Sequence, residues 1–199
     1  MSERAFEPGA LYHVGVSGNL GQPLFENAPH HELYLRLYGR VSRKYDWTTL
    51  DWCLMWNHAH FLVRLDETGL SRGMQELNGM FARRLNAVRG LTGRGHAIRH
   101  RFFSSHVDSD AYLQKVCAYI PLNPCEAGLC ATPEAWVWGG YRASLGLEFA
   151  RPFHNVQALL ELFGDTPAAG RHEYRELVHE GLAALGHGST SNDRVGTAT

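Results

Sequence analysis

The stretch that most restricts the fold is Trp47 to Leu65, WTTLDWCLMWNHAHFLVRL. It reads as two strands, WTTLDWCLM and HAHFLVRL, with only the short WN break between them. In the second strand a period of two sends Ala59, Phe61, Val63 and Leu65 to one side, a good core face. His58, His60, Leu62 and Arg64 go to the other. Two imidazoles one residue apart in an apolar run need a reason, because a buried imidazole requires a hydrogen-bond partner. Same-face neighbours lie ~7 Å apart at the backbone, close enough for both rings to converge on one ion. On spacing alone a satisfied core pair is the stronger reading, and a metal site would need a third ligand from elsewhere.

The flanking pattern supplies the rest of a domain. ALYHVGV alternates as a first strand, and SGNLGQPLF is a turn-rich loop. Asn27 is placed to cap a helix whose stripe is Tyr34, Leu37, Tyr38, Val41 and Tyr45. A second helix carries Met74, Leu77, Phe81, Leu85 and Val88 on one side and ends at Gly90. A short strand is expected near Phe102. Asp108 or Ser109 then caps a third helix, which the dipeptide NP at Asn123 should stop, since a residue before proline avoids the α region. RPFHNVQALLELFG and RHEYRELVHEGLAAL read as two C-terminal helices. The order predicts an α+β fold, a ferredoxin-like antiparallel sheet with helices on one face plus C-terminal helices, the other face being available. The organisation expected is a domain over 9–150, a helical extension over 151–186 and a disordered polar tail over 187–199.

Composition excludes some classes of function. With 199 residues, 44% hydrophobic and 20% charged, the chain suits a soluble globular protein. No apolar run reaches the ~20 residues of a membrane span, and the N-terminus lacks a secretory pattern, so a cytoplasmic location is expected. Cys53, Cys117, Cys125 and Cys130 form no CxxC pair and read as buried, reduced thiols. Net charge is −1, yet from Ser71 to Phe103 the residues Arg72, Arg83, Arg84, Arg89, Arg94, Arg99 and Arg101 face Glu76 alone. Such a stretch suits a polyanion or a solvated surface. In the third helix Tyr119 and Asn123 are four apart and share a face, so a nucleophile and a carbonyl ligand could stand together. Tyr119 also fits a core stripe with Tyr112 and Val116, which spacing alone favours.

Several blocks together resemble the single-tyrosine HUH transposases, in particular the REP-associated tyrosine transposases. LMWNHAHFL is similar to the family's histidine strand, approximately LMPNHxHLL, and YIPLNPCEAGL to its tyrosine helix, approximately YIxxNPxxAGL. YHVGVSGNLGQPLF, MQELNGMFARRLN, RFFSS and WVWGGYRASLG match further blocks in the right order, covering roughly residues 9 to 185. The resemblance implies a metal-dependent single-strand DNA endonuclease and ligase. It implies Tyr119 as nucleophile forming a 5′-phosphotyrosine, and His58, His60 and Asn123 as ligands of a divalent cation, Mg²⁺ or Mn²⁺. Imidazole ligands lean toward Mn²⁺ and cellular availability toward Mg²⁺.

Single-stranded or hairpin DNA is the implied partner, with Arg101 foremost and Arg83, Arg84, Arg94 and Arg99 beside it on the backbone. A homodimer is left open, since family members include dimers that exchange the tyrosine helix. The chain departs from the family pattern at Trp56, where proline is usual, and Pro121 threatens a kink between Tyr119 and Asn123. His96, His100 and His106 have no ligand-like spacing and read as solvated. Two other classes of function remain: a DNA-binding protein of this fold that does not cut, and a metallohydrolase using H-x-H with a carboxylate.

Overall fold

The computed structural model describes residues 6–66, 69–90, 97–99 and 101–189. Strands β1 (Leu11–Ser17), β2 (Trp47–Leu54), β3 (His58–Leu65) and β4 (Phe103–His106) form one sheet in the order β2-β3-β1-β4. Every neighbouring pair is antiparallel. Helices α1 (Ala28–Lys44) and α2 (Leu70–Val88) make the two crossovers. The ferredoxin-like order expected from the sequence is therefore the observed one.

Both crossover helices start and pack as their sequences dictate. Asn27 Oδ1 accepts the His30 N–H at 3.0 Å and Pro29 sits in the first turn. Tyr34, Leu35, Tyr38 and Val41 are buried, and Tyr38 stacks flat on Phe61 of β3 with ring centroids 4.1 Å apart. From α2, Met74, Leu77, Phe81 and Leu85 enter the same core. Val88 does not; it is 74% exposed. The buried stripe ends at Leu85, and Gly90, φ 66°, ends the helix.

Beyond β4 the chain builds a second core on the opposite face. Helix α3 (Asp110–Glu126) is capped by Ser109, whose Oγ accepts the Tyr112 N–H at 3.4 Å. It does not stop at NP; it runs through Pro121 and Pro124. Each interior proline costs about 3 kcal/mol. Val116, Cys117, Ile120 and Leu122 are buried, and at roughly 1.5–3 kcal/mol per large apolar side chain they offset that cost. The stop comes at Gly128, φ 68°, where Leu129 N–H donates to Pro124 O at 2.8 Å. Gly181 of α6 (Pro167–Ser189) lets Leu122 close in, since a Cβ there would meet its Cδ1 at 2.6 Å.

A bulge in β2 serves this second core. Thr49 lies opposite Val63 and Asp51 opposite Leu62, so Leu50 is the extra residue. Leu50 joins the α3–α6 core, and Asp51 accepts the Tyr174 hydroxyl of α6 at 2.7 Å and the Trp52 N–H at 2.8 Å. Burial pushes the Asp51 carboxyl up to about 7. Of the first expected C-terminal helix only α5 (Val156–Leu160) forms, because His154 instead bridges Thr49 at the sheet's outer edge. A short α4 (Tyr141–Ser144) precedes it. Helix α6 runs to Ser189, three residues into the stretch expected as tail; residues 190–199 lie outside the described ones. Cys53 and Cys117 are buried, whereas Cys125 and Cys130 are only partly so, their thiols 3.6 Å apart. Among the described residues no helix is long and apolar enough to cross a membrane.

Candidate nicking centre

Register decides what the two histidines meet. Gly15 of β1 lies opposite His60, and Ser17 opposite His58. A Cβ at Gly15 would come within 3.3 Å of His60 Nδ1, so the glycine makes room for the ring. His13, on the same face of β1, faces His60 with Nε2 and Nδ1 3.0 Å apart. Burial lowers His60 to about 3, with help from His13 and His58, and lowers His13 to about 4. Both rings are therefore neutral near pH 7. If His60 Nδ1–H donates to His13, the lone pair of His60 is on Nε2.

His58 is fixed in the same way from the other side. Its Nδ1–H donates to Asn57 Oδ1 at 2.7 Å. Its other ring nitrogen, Nε2, lies 3.1 Å from Asn123 Oδ1, within hydrogen-bond distance. The turn holding Asn57 is itself anchored, with the Trp56 carbonyl accepting the Leu24 and Phe25 N–H groups and the Asn57 carbonyl accepting that of Gly18. Trp56, in the place of the usual proline, is half exposed and leaves this turn intact.

Helix α3 brings the other two residues. Tyr119 stands edge-on to His60, ring centroids 5.2 Å apart, and to His13 at 5.8 Å. It is partly buried at the margin of the second core, so it serves packing and still borders the histidines. One turn on, Asn123 is buried, its Nδ2 without a partner. The helix is continuous across Pro121, so both residues share one face as their spacing requires.

The donor set fits a small divalent cation. His58 Nε2 and Asn123 Oδ1, both atoms able to turn a lone pair to a cation, lie 3.1 Å apart. Adjacent corners of an octahedron with ~2.1 Å bonds are ~3.0 Å apart, close to that separation. Among the described residues no three His, Cys, Asp or Glu side chains gather as a metal cage, so a cation held here would need the Asn123 amide oxygen as well.

The arginines divide. Arg99 is exposed and its N–H donates to Ser17 O at 2.9 Å, which puts it at the His58 end of the sheet. Arg101, exposed, precedes β4, whose Phe103 pairs with Gly15. Arg83 and Arg84 are exposed on α2, across the sheet from the histidines, and are not brought to the centre. Arg94, His96 and His100 lie outside the described residues. His106 stacks on Tyr12 at 5.1 Å and belongs to no ligand group among the described residues. Sequence reading missed His13 and Asn57; the alternation of YHVGV could have flagged the first.

Residues 9–123 match the family model of IS200-like transposases. The matched span closes on Asn123 and so holds His58, His60 and Tyr119. No curated protein matches the chain. A solved structure of a REP-associated tyrosine transposase bound to a REP hairpin is similar at a TM-score of 0.60 and 17% identity, over 78% of this chain and 91% of that one. At that identity the likeness establishes the shared fold, while the family match, more than half the chain long, establishes kinship: this chain belongs to the IS200-like transposase family.

Proposed function

We propose that the chain cuts and rejoins single-stranded DNA through a covalent bond to Tyr119, at a centre made with His58, His60 and Asn123. The observation that carries this reading is the meeting of α3 with β3. Tyr119 borders His60 while Asn123, one turn away, confronts His58 across 3.1 Å. His58, His60 and Asn123 would hold Mg²⁺ or Mn²⁺. Bound there, such an ion supplies positive charge at the scissile phosphate.

The remaining work falls to the chain. The phenolic oxygen of Tyr119 bonds to phosphorus as the bond to the 3′ oxygen breaks, and the phenol proton is lost as the 3′-hydroxyl gains one. The product is a 5′-phosphotyrosine and a free 3′-hydroxyl. Attack by a 3′-hydroxyl reverses the step and restores the phosphodiester with no nucleotide consumed. His13 and His60 hold the tyrosine ring in place, and Tyr119 acts on the histidine pair of its own chain.

Arg99 and Arg101 carry no ion-pair partner among the described residues and flank the histidine end, where they would follow the DNA backbone. Arg83 and Arg84 would touch DNA only beyond the sheet. The hairpin held by the structural neighbour supports hairpin DNA as the partner class.

The test is to incubate the full chain with end-labelled hairpin DNA and Mn²⁺ and run a denaturing gel. The expected outcome is a covalent adduct that Tyr119→Phe abolishes while DNA binding persists. Binding with no adduct would make the protein a binder of the same fold, and cleavage with no adduct a hydrolase.

A further inference from the structure

Helix α3 ends on a pair of thiols that the candidate centre does not use. Cys125 stands in its last turn, two residues past Asn123, and Cys130 follows the glycine turn that ends the helix. Gly128 N–H donates to the Cys125 carbonyl at 3.0 Å and Leu129 N–H to that of Pro124 at 2.8 Å. The chain thus doubles back and leaves the two Sγ atoms 3.6 Å apart. In the block YIPLNPCEAGL, Cys125 falls where the family pattern YIxxNPxxAGL specifies nothing, and Cys130 lies beyond it. Among the described residues no third His, Cys, Asp or Glu joins the two thiols as a metal cage. The chemistry open to the pair is therefore that of sulfur with sulfur.

The two thiols are not equivalent. Both are partly exposed, whereas Cys53 and Cys117 are buried. Cys130 lines a cavity of about 520 Å³ whose rim residues Trp56 and Leu129 are exposed, so a small molecule can reach its sulfur; Cys125 does not line it. Burial pushes the Cys125 thiol up to about 12, with help from its hydrogen bond to Cys130. Burial raises Cys130 as well, but there the Cys125 hydrogen bond works in the opposite direction, so a thiolate forms more readily on Cys130. We propose that Cys125 and Cys130 form a reversible disulfide, with a low-molecular-weight disulfide as oxidant, that staples the end of α3 to the segment following it. The Cys130 thiolate attacks one sulfur of the small disulfide, whose S–S bond breaks, and the released sulfur takes up the proton that Cys130 lost. Cys125 then loses its proton and attacks the Cys130 sulfur of this mixed disulfide, releasing the second small thiol. Two protein thiols are oxidised to one disulfide and one small disulfide is reduced to two thiols.

The turn can take the bond. The sulfurs have to close from 3.6 Å to a ~2.05 Å bond, and a Cβ at Gly128 would meet nothing within 4 Å, so open space surrounds the turn that adjusts. The segment beyond Cys130 is itself fixed to the sheet. Trp136 Nε1–H donates to Leu54 O at 3.2 Å, and Leu54 N–H donates to Trp138 O at 2.8 Å. The staple therefore ties the helix that carries Tyr119 and Asn123 to the end of β2. Nothing in this step depends on DNA chemistry.

The experiment incubates the full chain with oxidised glutathione, alkylates the folded protein with iodoacetamide and reads it by mass spectrometry. Wild type is expected to lose about two mass units and to resist alkylation, with a peptide map joining Cys125 to Cys130 and dithiothreitol restoring the starting mass. Cys125→Ser should stop at the mixed disulfide on Cys130; the wild-type peptide map decides the matter even where that variant fails to fold. Oxidised wild type should melt about 4–8 °C above reduced wild type, as a short closed loop allows. Amide exchange over residues 124–130 should slow at least ~5-fold on oxidation while α1 is unchanged. A wild type that stops at the mixed disulfide, links Cys53 or Cys117 instead, or pairs between two chains overturns the disulfide. A bond that forms with neither melt nor exchange altered overturns the staple.

Discussion

Under α1 and α2 the sheet buries aliphatic and aromatic side chains, Phe61, Val63, Met74, Leu77 and Phe81 among them. Under α3 and α6 the apolar contacts are broken by Asp51, His13 and Asn123, all buried and polar. The same four strands thus carry one side that only has to exclude water and one that also has to keep lone pairs in place. Burying a polar group without full compensation costs ~1–3 kcal/mol, so the second side gives up stability where chemistry needs the groups.

Substitutions on the two sides should fail differently. The largest effect is on the chemical side. Tyr119→Phe should cut adduct formation at least ~10³-fold while moving stability by less than ~0.5 kcal/mol, as denaturant titration and the gel assay together would reveal. On the apolar side Phe81→Ala should cost about 3–5 kcal/mol with no change in adduct yield per folded molecule. A reversal of these two outcomes would erase the distinction.

The polar groups sharpen it further. Asp51 has its folded pKa raised to about 7 from ~3.9 unfolded, so the folded state binds the proton more tightly. Its stabilising contribution is full below pH 4 and is lost as pH rises to about 7, on the order of 2–4 kcal/mol. Urea midpoints for Asp51→Asn should lack that decline between pH 4 and 7. Next, His13→Ala should weaken Mn²⁺ binding about 10–100-fold by calorimetry, since His60 loses the partner that orients it. Val88→Ser should come last, shifting stability by less than ~0.5 kcal/mol.

The apolar side was also the easier one to read. Alternation in HAHFLVRL and the stripe of α2 named its residues in advance, apart from Val88, where periodicity persists past the buried stripe. On the other side local rules misled. Pro124 after Asn123 argued for a helix end and Pro121 for a kink, but burial of Ile120 and Leu122 carried α3 on to a glycine terminus. The bulge at Leu50 left no trace in composition, because it is a property of how β2 pairs with β3. Tyr119, His58, His60 and Asn123 were named through a family likeness, while His13 needed the register of β1 on β3 to be seen as their neighbour.

One consequence follows from α3 being a single unbroken rod. The proposed nucleophile, Tyr119, and the proposed amide ligand, Asn123, are tethered by one helix, a turn apart. Tilting the rod away by even an ångström or two would disarm the nucleophile and loosen the cation in the same motion. On the proposed chemistry the two would be lost together, and a DNA end carried on Tyr119 would move with the helix.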